Sequence, residues 1–322
     1  MDTGIIAVAV VAFIISTLLS PLFIMYSRRV QFQQHIREDG PGTHIVKKGT
    51  PTMGGVVFLA GAAASLVLLA RPFSTLLWLA LLVTFWSGAI GWLDDYAKVS
   101  RSRSLGLKAR SKLFWQAVLT IVVVMVLYQA GHSTEVAVPF SDIQLEVGVL
   151  YPLLVFFMIT GTTNAVNLTD GIDGLAGGSG IVALMAFLVL SSLQGLNDLA
   201  LFCAALVGAI FGFLIFNLHP ARLFMGDVGS LALGGALAAV AILTKAELTL
   251  VLVGGLFILE TVSVMLQVLV FRLTGRRVLL MSPLHHHFEL KGWSEWQVVT
   301  FLWGLSFLFA VAGLMEVTVE WF

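Results

Sequence analysis

GIIAVAVVAFIISTLLSPLFIMY (residues 4–26) carries no charge and is followed by Arg28 and Arg29. A helix needs about 20 mostly apolar residues to cross the hydrocarbon core of a bilayer, and this stretch is long enough. It lacks a basic leading region and an A-x-A-like cleavage site, so it reads as a retained first membrane helix rather than a removed signal peptide. By the same criterion, further spans are expected near 53–70, 76–93, 113–130, 150–166, 179–195, 199–217, 229–244, 248–271 and 298–319. The expectation is an all-α polytopic membrane protein of about ten helices, a single integral membrane domain over residues 1–322. The eighth span, GSLALGGALAAVAILT, is short, and its glycines and alanines suit close helix contact.

Composition agrees. Of 322 residues, 58% are hydrophobic and 11% charged, whereas a soluble domain carries about 25% charged residues. A water-exposed globule is excluded, and zero net charge gives no general attraction to nucleic acid. The one cysteine, Cys203 in LFCAALVG, cannot form an intramolecular disulfide and reads as a packing thiol.

Orientation follows from the basic residues. With the N-terminus outside, every one of the 18 lysines and arginines except Arg71 and Lys245 falls in an inward loop, which satisfies the positive-inside rule. An even helix number then puts both termini outside. One outward connection, EVAVPFSDIQLEVGV (135–149), alternates apolar and polar residues around Pro139 to Asp142 and predicts a small β-hairpin.

This topology gathers five polar segments on one face: KKGTPTMGG (47–55), GWLDDYAK (91–98), NAVNLTDGIDG (164–174), HPARLFMGDVGS (219–230) and SPLHHHFE (282–289). Asp94, Asp95, Asp170, Asp173 and Asp227 converge there with lysines around them. A solvated helix cap is the ordinary explanation for one such carboxylate. Five in Gly-rich loops suit a phosphate substrate held through a divalent metal, because carboxylates bind Mg²⁺ and the ion bridges phosphate oxygens. Asp94 and Asp95 are adjacent and face different ways on a helix, so different roles are expected; Lys98 also stands at ion-pair spacing from Asp94. Asn167, Asp170 and Asp173 step by three, an alignment that helix would produce and a loop would not guarantee. Asp227 precedes a helix and could be no more than its N-cap. His285, His286 and His287 are contiguous and cannot all address one centre, which disfavours zinc; hydrogen bonds to an anionic substrate or a surface loop are both open. Glu260 and Gln267 share a face of the ninth span, where a structural pair and a functional one are equally open.

Across essentially the whole chain and in family order, DGPGTHIVKKGTPTMGG (39–55), GWLDDYAK, NLTDGIDG, FMGDVGS and PLHHHFELKGW (283–293) resemble the bacterial phospho-N-acetylmuramoyl-pentapeptide transferases, within the wider polyprenyl-phosphate N-acetylhexosamine-1-phosphate transferases. DDYAK and FMGD fit the wider group; KKGTPTMGG with PLHHHFE is specific to the muramoyl-pentapeptide branch. Ile172 stands where the family often has Leu. The resemblance implies transfer of phospho-MurNAc-pentapeptide from UDP-MurNAc-pentapeptide to undecaprenyl phosphate, giving lipid I and UMP, with Mg²⁺ required. It implies a homodimer in the bacterial plasma membrane with the site facing the cytoplasm, and a broken ninth helix. Carried over by position, Asp227 is implied as metal ligand, and Asp94 and Asp95 as the catalytic pair. Lys47, Asn167, Asp170, Asp173 and Phe224 are implied to line the nucleoside pocket; Thr52, Lys98, His285, His286 and His287 match other cleft residues, Lys98 and His285 among the catalytic groups, and Gln267 is expected among the substrate-binding residues. Two rivals remain. A sister enzyme using UDP-GlcNAc is opposed by the histidine and KKGTPTMGG motifs. A secondary transporter would place its site near the midplane, often with inverted repeats, and no repeat is visible.

Overall fold

The computed structural model describes residues 3–30, 49–70, 72–100 and 106–319. Its helices are α1 (Thr3–Val30), α2 (Gly55–Leu69), α3 (Thr75–Ser100), α4 (Ala109–Gln129), α5 (Tyr151–Thr169), α6 (Leu175–Leu193), α7 (Asn197–Asn217), α8 (Gly226–Leu243), α9 (Thr249–Val253), α10 (Gly255–Thr274), α11 (Leu284–Leu290) and α12 (Glu295–Val319). Among the described residues, 9 are long and apolar enough to span a membrane, and α2 is a shorter apolar helix of 15 residues. The protein is an all-α membrane protein, as its composition requires.

Three boundaries differ from the sequence expectation for physical reasons. α3 continues past the apolar run through DDYAK to Ser100, because its acidic and basic side chains find partners that keep the helix intact. The ninth span is broken, as the resemblance implies, at a place that hydropathy does not mark: α9 stops at Val253, and α10 starts at Gly255. The Gly254–Gly255 pair is the weakest helix-forming point in that run. α2 is too short to cross alone, at roughly 22 Å by its rise per residue. The irregular segment before it is buried at residues 51–54 and bonded to the chain entering α8. Phe224 N donates to Pro51 O at 2.8 Å, Gly54 N to Phe224 O at 2.8 Å and Gly55 N to Met225 O at 2.9 Å. Irregular backbone at membrane depth is tolerated only when protein satisfies it in this way.

α8 is the centre of the bundle, with 89% of its span buried, against 28% for α1 and α10 and 33% for α4 and α12. It packs on α3, α5, α2 and α6, and its small residues permit the approach. A Cβ on Gly55 would overlap the backbone of Gly229. The peripheral helices turn large apolar side chains outward, including Leu18, Met125, Met265 and Phe307, as a lipid surround demands.

The two ends of the bundle differ chemically. At one end, β1 (Glu135–Ala137) and β2 (Gln144–Glu146) form the predicted antiparallel hairpin, with Val136 opposite Leu145. Its base is tied down by a polar cluster. Tyr151 Oη donates to Glu247 Oε1 at 2.7 Å, while Lys245 Nζ reaches Glu247 Oε1 at 2.8 Å and Ser133 O at 3.0 Å. At the other end lie the conspicuous aspartates. Near them Trp92 and Tyr96 of α3 are exposed and stacked at 5.4 Å, and Phe114 and Trp115 of α4 are exposed as well. Such aromatic side chains sit at the membrane–water boundary.

The α2–α8 contact supplies a test of this packing. Gly55→Ala should lower stability by about 1–3 kcal/mol, the usual cost of overpacking, read as a reduced melting temperature in detergent. Gly161→Ala is the control, since nothing lies within 4 Å of its added methyl; it should melt no lower than the parent.

Candidate active site

The end of α3 and the starts of α4 and α8 meet at three carboxylates and two lysines. Successive residues on α3 diverge by about 100°, so Asp94 and Asp95 reach different partners. Asp94 accepts the Leu107 N–H at 2.7 Å through Oδ1 and pairs with Lys98 Nζ at 2.7 Å through Oδ2. Asp95 accepts the Val228 N–H at 3.1 Å and fixes the first turn of α8. Asp227 is the second residue of α8 and makes no capping bond. Its carboxylate lies 2.9 Å from Lys98 Nζ and 3.0 Å from Lys112 Nζ. Lys112 also reaches Asp94 at 3.1 Å, and Lys98 comes within 3.5 Å of Asp95. Lys98 is therefore no ordinary surface partner of Asp94. Gly91 makes the convergence possible, since a Cβ there would overlap the Asp227 carbonyl.

NLTDGIDG is divided by the end of α5. Asn167 is still helical and donates to Asp227 Oδ1 at 3.1 Å and Ser230 Oγ at 2.8 Å. Asp170 caps the helix. Asp173 lies beyond it and turns to another group, accepting from Ala221 N at 3.0 Å and pairing with His219 Nδ1 at 3.1 Å. The three residues do not share one helical face. Glu295 at the start of α12 completes this second cluster: its Oε1 accepts the Asp173 N–H at 2.8 Å, and Oε2 lies 2.9 Å from His219.

The histidine motif is helical, and its three rings diverge as contiguity requires. His285 is fully buried, with Nδ1 3.3 Å from Glu260 Oε2. It lies directly against Gly171, where any Cβ would overlap its ring, so it touches the NLTDGIDG turn. His286 pairs with Glu289 at 2.7 Å, and His287 Nδ1 accepts the Leu280 N–H at 3.1 Å. Glu260 Oε2 also accepts the Leu284 N–H at 2.7 Å and holds the start of α11. Gln267 binds chain: Oε1 accepts from Val278 N at 3.0 Å and Leu279 N at 2.9 Å, and Nε2 donates to Leu279 O at 3.0 Å.

The remaining expected residues are placed as follows. Thr52 is buried beside Gly226, just before Asp227. Phe224 is half-buried, with its backbone paired to Pro51 and Gly54. Lys47 lies outside the described residues. Sequence reasoning missed Lys112, His219, Asn217 and Glu295. Lys112 was visible only as one inward basic residue among many, and nothing local ties it to Asp227, 115 positions away. Asn217 accepts the Gly174 N–H at 3.2 Å and donates to Leu223 O at 2.9 Å, so it joins the two motif loops.

Among the described residues, Asp94, Asp95 and Asp227 can bring one carboxylate oxygen each within 4.8 Å of the others. They are hard oxygen donors of the kind that suits Mg²⁺. The arrangement can hold a cation and phosphate oxygens between lysines at the membrane face.

Comparison with known proteins gives concordant results. Residues 77–245 match the family model described as glycosyl transferase family 4, and residues 47–59 match phospho-N-acetylmuramoyl-pentapeptide-transferase signature 1. A Geobacillus sp. (strain WCH70) protein named phospho-N-acetylmuramoyl-pentapeptide-transferase is 50% identical over 95% of both chains. Relatives with the same name from Geobacillus thermodenitrificans and Bacillus mycoides are each 50% identical over 98% of both chains.

Asp170 shows the electrostatic load of the site. Removal from water raises its pKa, followed by the charges of Asp227, Asp95 and Asp173; Lys98 opposes them, and the result is about 8 against an ordinary 3.8. A carboxyl that binds its proton more tightly when folded costs stability as pH climbs between those two values. In the metal-free protein, Asp170→Asn should therefore raise the melting temperature at pH 8, with the gain vanishing toward pH 4. Melting curves of both proteins across that range check this, and a gain independent of pH would contradict it.

Proposed function

The chain belongs to the phospho-N-acetylmuramoyl-pentapeptide-transferase family, and on that footing we propose how its residues carry out the transfer. The enzyme moves phospho-MurNAc-pentapeptide from UDP-MurNAc-pentapeptide to undecaprenyl phosphate, forming lipid I and releasing UMP. The observation that carries the residue assignment is the triad of Asp94, Asp95 and Asp227 threaded by Lys98 and Lys112, with Lys98 within 3.5 Å of all three carboxylates. The site lies at the end of the bundle where exposed aromatic side chains mark a membrane boundary. A lipid whose tail stays in the bilayer can meet a water-soluble sugar nucleotide there.

In this reading Asp227, with Asp94 and Asp95 beside it, holds Mg²⁺, which when bound offsets the charge of the diphosphate. The chain's own groups do the rest. Lys98 and Lys112 neutralise phosphate oxygens of donor and acceptor, so that two anions can be held together. The acceptor phosphate needs no covalent relay. Its second pKa is about 6, so at neutral pH most of it already presents an unprotonated oxygen. That oxygen attacks the sugar-bearing β-phosphorus, the bond to the α-phosphate breaks, and UMP leaves. Asp94 orients the attacking phosphate and accepts any residual proton. Asn167 steadies Asp227. Asp170, Asp173 and Phe224, together with Lys47 and Thr52, serve the nucleoside half of the cleft. His219 and Glu295 keep Asp173 in place. His286 and His287 line the rim, the buried His285 backs the Gly171 turn, and Gln267 shapes the rim by holding residues 278–279. The homodimer belongs to the same reading, with the lipid-facing helices as its available surfaces.

The decisive measurement is UMP release from UDP-MurNAc-pentapeptide by purified protein. Release should require both undecaprenyl phosphate and Mg²⁺. Asp227→Asn and Lys112→Gln should each lower it at least about 100-fold, the scale of losing one preorganised charge, without loss of fold. Release without the lipid would refute direct attack, and near-normal rates in both variants would refute the assignment.

The orientation is proposed with the site toward the cytoplasm of a bacterial plasma membrane and both termini outside. Support comes from the distribution of lysine and arginine. Asp142→Cys in the hairpin should react with an impermeant thiol reagent on intact cells. Ser102→Cys should react only after permeabilisation. The opposite pattern would place the aspartates on the wrong side for a cytoplasmic donor.

A further inference from the structure

The chain leaving α10 carries three arginines that the proposed reaction does not use. α10 ends at Thr274, and Gly275 takes a left-handed conformation (φ 68°), its N–H donating to Phe271 O at 2.9 Å. The chain turns back and is fixed by the Gln267 side chain at Val278 and Leu279 and by His287 at Leu280. Although so firmly held, nearly all of residues 271–280 is exposed. Arg272, Arg276 and Arg277 are exposed together, and none takes part in an ion pair among the described residues. The contrast with Lys98, Lys112 and Lys245 is plain, since each of those has a carboxylate. Between and beside the arginines stand Leu273, Val278 and Leu280, exposed by 75%, 50% and 49%.

We propose that residues 272–280 are a docking site for the anionic phospholipids of the surrounding bilayer. Guanidinium groups match phosphate in geometry and charge. A soluble anion would account for the arginines but would leave three large apolar side chains in water. A phospholipid satisfies both, with its headgroup on the arginines and its acyl chains around the leucines and valine. The segment is pinned before the lipid arrives, so little ordering opposes binding. Undecaprenyl phosphate shares the phosphate chemistry. The site is assigned to bulk anionic phospholipid, because in the proposed reaction the acceptor's phosphate is already taken up by Lys98 and Lys112 at the aspartates.

The test uses the full chain in nanodiscs of phosphatidylcholine, with and without phosphatidylglycerol, followed by native mass spectrometry of the lipid that stays bound. The parent protein should retain phosphatidylglycerol over phosphatidylcholine by roughly tenfold, from three arginines at an anionic surface. The combined variant Arg272→Gln, Arg276→Gln, Arg277→Gln should lose that preference while melting normally in phosphatidylcholine. If it does not fold, Arg276→Glu and Arg277→Glu singly decide the matter, each expected to reduce the preference severalfold. An undiminished preference in these variants overturns the proposal. So does displacement of phosphatidylglycerol by equimolar undecaprenyl phosphate, which would give the site to the acceptor lipid.

Discussion

Carboxylates drawn out of water at a membrane face must be neutralised, and here two lysines do it for three aspartates. Much of the neighbouring architecture serves that arrangement. α3 remains helical beyond its apolar run because Lys98 lies one turn after Asp94. α4 starts where Lys112 can reach the oxygens of Asp94 and Asp227 that Lys98 leaves free. α8 is brought against α3 through Gly91, and the Asp95 carboxylate holds its first turn by the Val228 N–H. The irregular chain entering α2 is bonded to Phe224 and Met225, which fixes the approach to Asp227 from its N-terminal side. Removing either lysine would leave a buried negative charge uncompensated, and such charges are costly in surroundings of low dielectric.

The lysines also bear on how a cation would enter. Lys98 and Lys112 already sit among the oxygens that a divalent ion would take. Lys98 stands on the same helix as two of the acids and cannot move far from them. Lys112 arrives on a separate helix, α4, and holds the other oxygens of Asp94 and Asp227.

Most of the fold could be read from sequence, because a bilayer reduces the problem to hydropathy and length. The hairpin was readable from its alternation, and the convergence of five motifs from the distribution of basic residues. The failures have local causes. The broken ninth helix was expected from the resemblance, but the place of the break, Gly254–Gly255, lies inside a continuous apolar run where hydropathy does not register it. Asn167, Asp170 and Asp173 have helical spacing, but α5 stops at Thr169, so Asp173 leaves the cluster for His219 and Glu295. Lys112 and Glu295 gain their meaning from contacts on other elements, to Asp227 and Asp173 more than 100 positions away, and no periodicity encodes those. Gln267 was recognisable as a polar group in an apolar helix, yet its partners are backbone groups that sequence cannot rank.

The hairpin at the far end of the bundle has a practical consequence. Lys245, Glu247 and Tyr151 anchor its base to the helices, so its orientation is rigidly tied to the transmembrane scaffold. A chain of 322 residues sheathed in detergent or lipid offers image-alignment methods few features to grip. An antibody fragment raised against residues 135–146 would provide such a fiducial. It would sit a full membrane thickness from the aspartates and leave the cleft open to soaked nucleotides and inhibitors during imaging.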